Sequence, residues 1–218
     1  MKAFIVLLTL SVLIYADNFT QSKKILKEIY KDHQTTFYCA CQYSYVDKED
    51  MIDKSSCGYV PRNPITKKGK INERTTRIEW EHIMPAENFG KHLPCWKEGG
   101  RKACQSDPVF TKMEADMMNL VPAVGELNGD RSNYRYGANE PKVGQYGRCN
   151  FEVDFEANRA YVRPEIRGDI ARVYLYMSQK YTINLSKQET QMMEAWNKLD
   201  PMDDWEREKI KLVQKYQK

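Results

Sequence analysis

Apolar and polar positions recur with recognisable periods in several segments of this 218-residue chain. SKKILKEIY (residues 22–30) places Ile25, Leu26 and Ile29 on one helical face, with Ser22 as its N-cap. TTFYCACQYSY (residues 35–45) alternates Phe37, Cys39, Cys41, Tyr43 and Tyr45 against Tyr38, Ala40, Gln42 and Ser44, which is strand periodicity. Ile78 and Trp80 alternate with Arg77, Glu79 and Glu81, so a short strand should run up to His82 and turn there, before Pro85. Asp107-Pro108 opens a helix whose apolar face is Phe110, Met113, Met117 and Leu120. A short apolar strand, Asn119-Leu120-Val121, should follow, and Pro122 should open a second helix with Asn128 near its end. Residues 150–164 alternate as a half-buried hairpin. After Pro164 the period becomes helical: Ile166, Ile170, Val173, Tyr174, Met177 and Tyr181 share one face. SKQE (residues 186–189) is a capping box, and a polar helix follows from about Asp203. Strands followed by helices predict an α+β fold.

The N-terminus changes how the rest reads. MKAFIVLLTLSVLIYA (residues 1–16) has a lysine, an apolar run and a small residue at Ala16, the shape of a secretory signal. Residues 17–218 then form a single domain, with no later stretch of membrane-spanning length. Export makes the six cysteines, Cys39, Cys41, Cys57, Cys95, Cys104 and Cys149, read as three disulfides. There is no CxxC pair for a zinc site. Cys95 and Cys104 would close the short loop CWKEGGRKAC, and Cys41 with Cys57 is a local pairing that fits; spacing leaves the other pairings open. The net charge of +4 permits a nucleic-acid partner without arguing for one. The basic stretch of residues 62–74 reads as a solvated loop.

The chemistry must therefore come from local patterns. One of only three histidines, His82, follows Glu81 at the end of a strand. About forty residues on, a short strand leads to a helix bearing Asn128. Strand, long insertion, strand and helix is the layout of a ββα-metal finger. His33 and His92 have no partner pattern and read as surface or packing residues.

The segments EWEHIMPAENFG, CWKEGGRKAC, KMEADMMNLVPAVGELNGDRSNYRY and RGDIARVYLYM resemble the bacterial endonuclease I family, over nearly the whole mature chain. The resemblance implies a ββα-metal (His-Me finger) nuclease core with surrounding helices and an antiparallel sheet, stabilised by disulfides. It implies an exported, periplasmic or extracellular, Mg²⁺-dependent endonuclease, with Mn²⁺ or Ca²⁺ as substitutes. Such an enzyme would cut DNA, and RNA as well, without sequence preference, leaving 5′-phosphate products. Carried over by residue, Glu81 and Asn128 would ligate the metal, His82 would be the general base, and Arg101 would contact the scissile phosphate. Asn119 and Glu114 would support them, with Asp116 and Asp130 as further supporting residues. The protein is expected to act as a monomer with no membrane partner. Where some members carry histidine before NLVP, this chain has Met118, so that position is not essential. The rival from another class is an extracellular nucleic-acid-binding protein that keeps the fold without catalysis. A zinc hydrolase is weaker, because no HExxH pair occurs.

Overall fold

The computed structural model describes residues 18–46 and 49–217. The expected signal, residues 1–16, lies outside them. The first helix, α1 (Phe19–Ile29), buries Ile25, Leu26 and Ile29 as its periodicity predicts. Its cap is Asn18, whose Oδ1 accepts from the Gln21 amide, and not Ser22. Ser22 is buried inside the helix and donates its hydroxyl to the Ala115 carbonyl at 2.6 Å. That tertiary acceptor outcompetes the local capping role.

Residues 35–45 are not one strand. Only β1 (Tyr43–Val46) is extended, paired antiparallel with β2 (Glu49–Ile52). Before it the chain turns, with Ala40 at φ 55° and the Thr36 amide donating to the Cys41 carbonyl. Two bridges hold this turn: Cys39 to Cys149, 110 residues away, and Cys41 to Cys57. Long-range bonds at alternate positions override the periodicity, since each cysteine is drawn to a different partner. The third bridge, Cys95–Cys104, is the predicted one.

The centre of the molecule is an antiparallel pair, β3 (Ile78–His82) and β4 (Leu120–Val124). Their register runs from Ile78 opposite Val124 to His82 opposite Leu120. The long connection carries α2 (Ala86–Gly90), α3 (Pro94–Ala103) and α4 (Pro108–Glu114), the last capped by Asp107 as expected. The helix expected from Pro122 does not start there. Pro122 lies inside β4 opposite Trp80, and its carbonyl accepts from the Phe37 amide at 2.8 Å. All five residues of β4 are buried, and burial on both faces suits an apolar strand. The helix, α5 (Gly125–Arg131), begins after it and places Asn128 at its middle.

A second sheet follows. β6 (Phe151–Asp154) and β7 (Arg159–Val162) form the predicted hairpin, and β5 (Arg135–Tyr136) joins β7 in parallel, so the sheet is mixed and not purely antiparallel. Helices α6 (Arg167–Tyr181), α7 (Lys187–Leu199) and α8 (Asp204–Gln214) pack beyond it. Ser186 and Asp203 each close a capping box with the glutamate three residues on. The α6 face predicted from sequence is buried at Ile170, Val173, Tyr174 and Met177.

Candidate active site

Successive residues of a strand point to opposite faces, and Glu81 and His82 do so here. The Glu81 carboxylate reaches Tyr38 and Arg131, whereas the His82 ring packs between Phe19 and Phe89 and meets Glu114. His82 is the last residue of β3, so the strand does end where the sequence suggests. The bend that follows is held by Asn119, whose Oδ1 accepts from the Met84 amide (2.7 Å) and whose Nδ2 donates to the Met84 carbonyl (3.0 Å). Glu81, His82, Arg101 and Asn128 then line one cavity of about 810 Å³.

Glu81 is only 3% exposed. Burial raises its pKa, and the Arg131 charge and the Tyr38 hydrogen bond oppose that rise. Tyr38 Oη donates to Oε1 at 2.8 Å, and Arg131 Nη1 lies 3.1 Å from the same oxygen. Arg131 is fully buried and also donates to the carbonyls of His82 and Ile83. One guanidinium on α5 thus fixes both the carboxylate and the end of the strand that carries it. The turn bearing Tyr38 is held by the adjacent Cys39–Cys149 bridge. Neither Tyr38 nor Arg131 is marked by any spacing in the sequence. The only available signal for Arg131 is a charged residue in the turn after Asn128.

His82 Nε2 lies 2.8 Å from the Glu114 carbonyl oxygen. A carbonyl only accepts, so Nε2 carries the proton and Nδ1 keeps its lone pair. Burial, reinforced by the charges of Arg101, Arg131 and Lys23, lowers the imidazole to about 3 against the opposing Glu114 contact. The ring is therefore neutral at physiological pH.

Arg101 is not on a loop but in α3, which kinks at Gly99 and Gly100, the latter at φ 63°. Glycine permits that left-handed backbone, and the Cys95–Cys104 bridge spans the kinked segment. Arg101 Nε donates to Glu114 Oε1 at 2.7 Å. Glu114 therefore positions two residues, His82 through its carbonyl and Arg101 through its carboxylate. Asn128 Nδ2 donates to Glu79 Oε2 at 3.1 Å, and Glu79 was not singled out from the sequence as a site residue. Lys23, Lys24 and Lys27 of α1 also line the cavity, the last paired with Asp50 at 3.0 Å.

The remaining acids serve packing. Asp116 accepts from Tyr176, Tyr181 and Lys180, and Asp130 accepts from Arg62 and Tyr146. His33 stacks on Trp205 at 4.0 Å, and His92 is exposed. Among the described residues no group of three or more His, Cys, Asp or Glu is placed to hold a metal ion. The oxygen-bearing side chains at the cavity include the carboxylates of Asp50, Glu79, Glu81 and Glu87 and the amide of Asn128.

The model of the family Endonuclease I matches residues 10–218. An extracellular deoxyribonuclease of Aeromonas hydrophila is 44% identical over 216 residues, which cover 96% of this chain and 90% of that protein. A periplasmic deoxyribonuclease of the same organism is 45% identical, over 93% of this chain and 83% of the relative. Endonuclease-1 of Buchnera aphidicola subsp. Acyrthosiphon pisum is 45% identical, over 90% of this chain and 76% of the relative. With the family model spanning residues 10–218 and relatives about 44% identical over most of its length, the chain belongs to the Endonuclease I family of nucleases.

Proposed function

We propose that this protein is an exported, Mg²⁺-dependent endonuclease that hydrolyses phosphodiester bonds of DNA, and also of RNA, without sequence preference. Its products would be 5′-phosphate and 3′-hydroxyl ends. The observation that carries this reading is the tautomer of His82: with Nε2–H spent on the Glu114 carbonyl, Nδ1 is the available base in a cavity that also holds Arg101 and the oxygen donors Glu81 and Asn128.

The donor set suits a hard, largely hydrated divalent ion. The Arg131 and Tyr38 contacts both fall on Glu81 Oε1, which leaves the second oxygen free of them. The Asn128 Nδ2 is taken by Glu79, which leaves Oδ1. When bound by Glu81 and Asn128, Mg²⁺ would offset the negative charge that develops on the phosphate and on the departing O3′.

The protein's own groups do the rest. His82 Nδ1 accepts a proton from the attacking water, because Nε2–H is held by the Glu114 carbonyl and leaves the Nδ1 lone pair as the base. Arg101, oriented by Glu114, presents a planar fork to the phosphate oxygens. Lys23 and Lys24 of α1 hold flanking phosphates, which carry no sequence information. Export is supported by the leader pattern of residues 1–16 and by relatives named extracellular and periplasmic. No described helix is long and apolar enough to cross a membrane.

Digestion of supercoiled plasmid, single-stranded DNA and RNA, with Mg²⁺ and with EDTA, tests the proposal. Wild type should cut all three only with the ion. His82→Ala should lower turnover by at least about 100-fold while keeping binding, as expected for loss of a general base. Plasmid left uncut across several divalent metals would instead favour a binding protein on the same fold.

A further inference from the structure

The Asn128 amide has two chemically different ends, and only one of them suits a cation. Its surroundings decide which end faces the cavity. Glu79 lies on β3 two residues before Glu81, and its Oε2 accepts from Asn128 Nδ2 at 3.1 Å. A carboxylate only accepts, so the end turned to Glu79 is the NH₂ and Oδ1 is left for the other side. Glu79 is itself locked: Arg74 Nε donates to Oε1 at 2.9 Å, and Arg74 Nη2 bonds Oε2.

Helix α5 is shaped to admit this pair. Gly125 and Gly129 are four residues apart and so share one helical face. A Cβ at Gly125 would lie 2.9 Å from the Arg74 carbonyl oxygen and 3.1 Å from Glu79 Oε1. A Cβ at Gly129 would overlap the Arg74 guanidinium. Two glycines flanking Asn128 thus let an ion pair press against the helix at the point where the amide needs a fixed acceptor. At the same time Glu79 lines the cavity, so it can act on the site through Asn128 or directly, as a ligand or by its charge.

We propose that Glu79, held by Arg74, is a positioning residue that keeps the Asn128 carbonyl oxygen turned to the cavity and thereby sets the site's affinity for a divalent cation. This rests on the reading of Glu81 and Asn128 as a cation site. Loss of the acceptor frees the amide to present its NH₂, which repels the ion. Outer partners of this kind typically change metal affinity by about 10- to 100-fold.

Calorimetric titration of the full mature chain with Mn²⁺ alone separates the two routes, with melting temperature as the check on folding. Glu79→Ala should weaken Mn²⁺ binding at least about tenfold. An aspartate at 128 needs no orientation and is repelled by Glu79. In the Asn128→Asp background, Glu79→Ala should therefore strengthen binding. Glu79→Gln keeps the size of the side chain but sets an NH₂ against donors of Arg74 or Asn128, so it should weaken Mn²⁺ binding several-fold with an unchanged melting temperature. Unchanged affinity in Glu79→Ala and Glu79→Gln would overturn the inference, as would the same loss in both backgrounds, which marks direct action by ligation or charge. If wild type takes up no Mn²⁺, or Asn128→Asp leaves its affinity unchanged, the cation-site reading itself fails and this inference with it.

Discussion

Around β3 and α5, Glu81 and Arg131 are almost out of reach of solvent; where α6 meets α8, Asp169, Arg172, Glu206 and Lys209 are likewise largely withdrawn from it. The two regions handle buried charge differently. At the site one guanidinium meets one carboxylate, and the two backbone carbonyls it also reaches belong to the same strand end. At the helical interface two carboxyl groups share Arg172, through Nη2 to Asp169 Oδ1 (3.1 Å) and Nε to Glu206 Oε1 (2.8 Å). Burial and the neighbouring Glu206 push Asp169 up to about 8. Burial pushes Lys209 down to about 8, against the attraction of Asp169 and Glu206, and its ammonium donates to the Leu120 carbonyl at 2.9 Å. A one-to-one pair holds a carboxylate in place. A two-to-one cluster titrates, and makes stability respond to pH.

The largest effect should come from breaking the one-to-one pair. Arg131→Met strands Glu81 and should cost about 3–5 kcal/mol of stability, read by denaturant unfolding. Little loss would mean that the carboxylate finds another partner. Next is Asn119→Ala, which leaves the buried amide and carbonyl of Met84 unpaired. We expect about 1–3 kcal/mol from this change, together with slower turnover because the bend after His82 loosens.

The helical cluster should give smaller, pH-dependent effects of opposite sign. The raised pKa of Asp169 means that its contribution is fully present below the ordinary aspartate value of 3.8 and is lost as pH rises through about 8. Wild type should therefore lose melting temperature across that window relative to Asp169→Asn. The depressed pKa of Lys209 works the other way: its contribution is present above 10.5 and is lost as pH falls through about 8. Relative to Lys209→Met, wild type should gain stability as pH rises from about 8 to 10.5. Parallel pH profiles for wild type and both variants would show that the cluster does not titrate as described.

Helical faces and caps were the most legible features of the chain. The face of α6 and the capping box at Ser186 depend on contacts within a few residues, and both stand as the pattern predicts. Errors fell where distant groups intervened. Ser22 left its expected capping role for the Ala115 carbonyl, residues 35–41 turned to satisfy two disulfides, and Pro122 stayed in a strand because β3 and Phe37 engage it. The site shows the same division. His82, Glu81, Arg101 and Asn128 line one cavity, and Glu114 and Asn119 touch them or their strand end. Tyr38, Arg131 and Glu79, which set the orientation of the acid and the amide, carry no motif of their own.

Sequence alone determined the helical periodicities and the six paired cysteines, because these are set locally or by composition; the candidate site residues came from the family resemblance. Only the tertiary structure decided which tautomer His82 adopts, which end of Asn128 is tied and which cation meets Glu81. Those depend on hydrogen-bond partners 32, 49 and 50 residues away along the chain, and a donor or acceptor at that remove leaves no periodic trace.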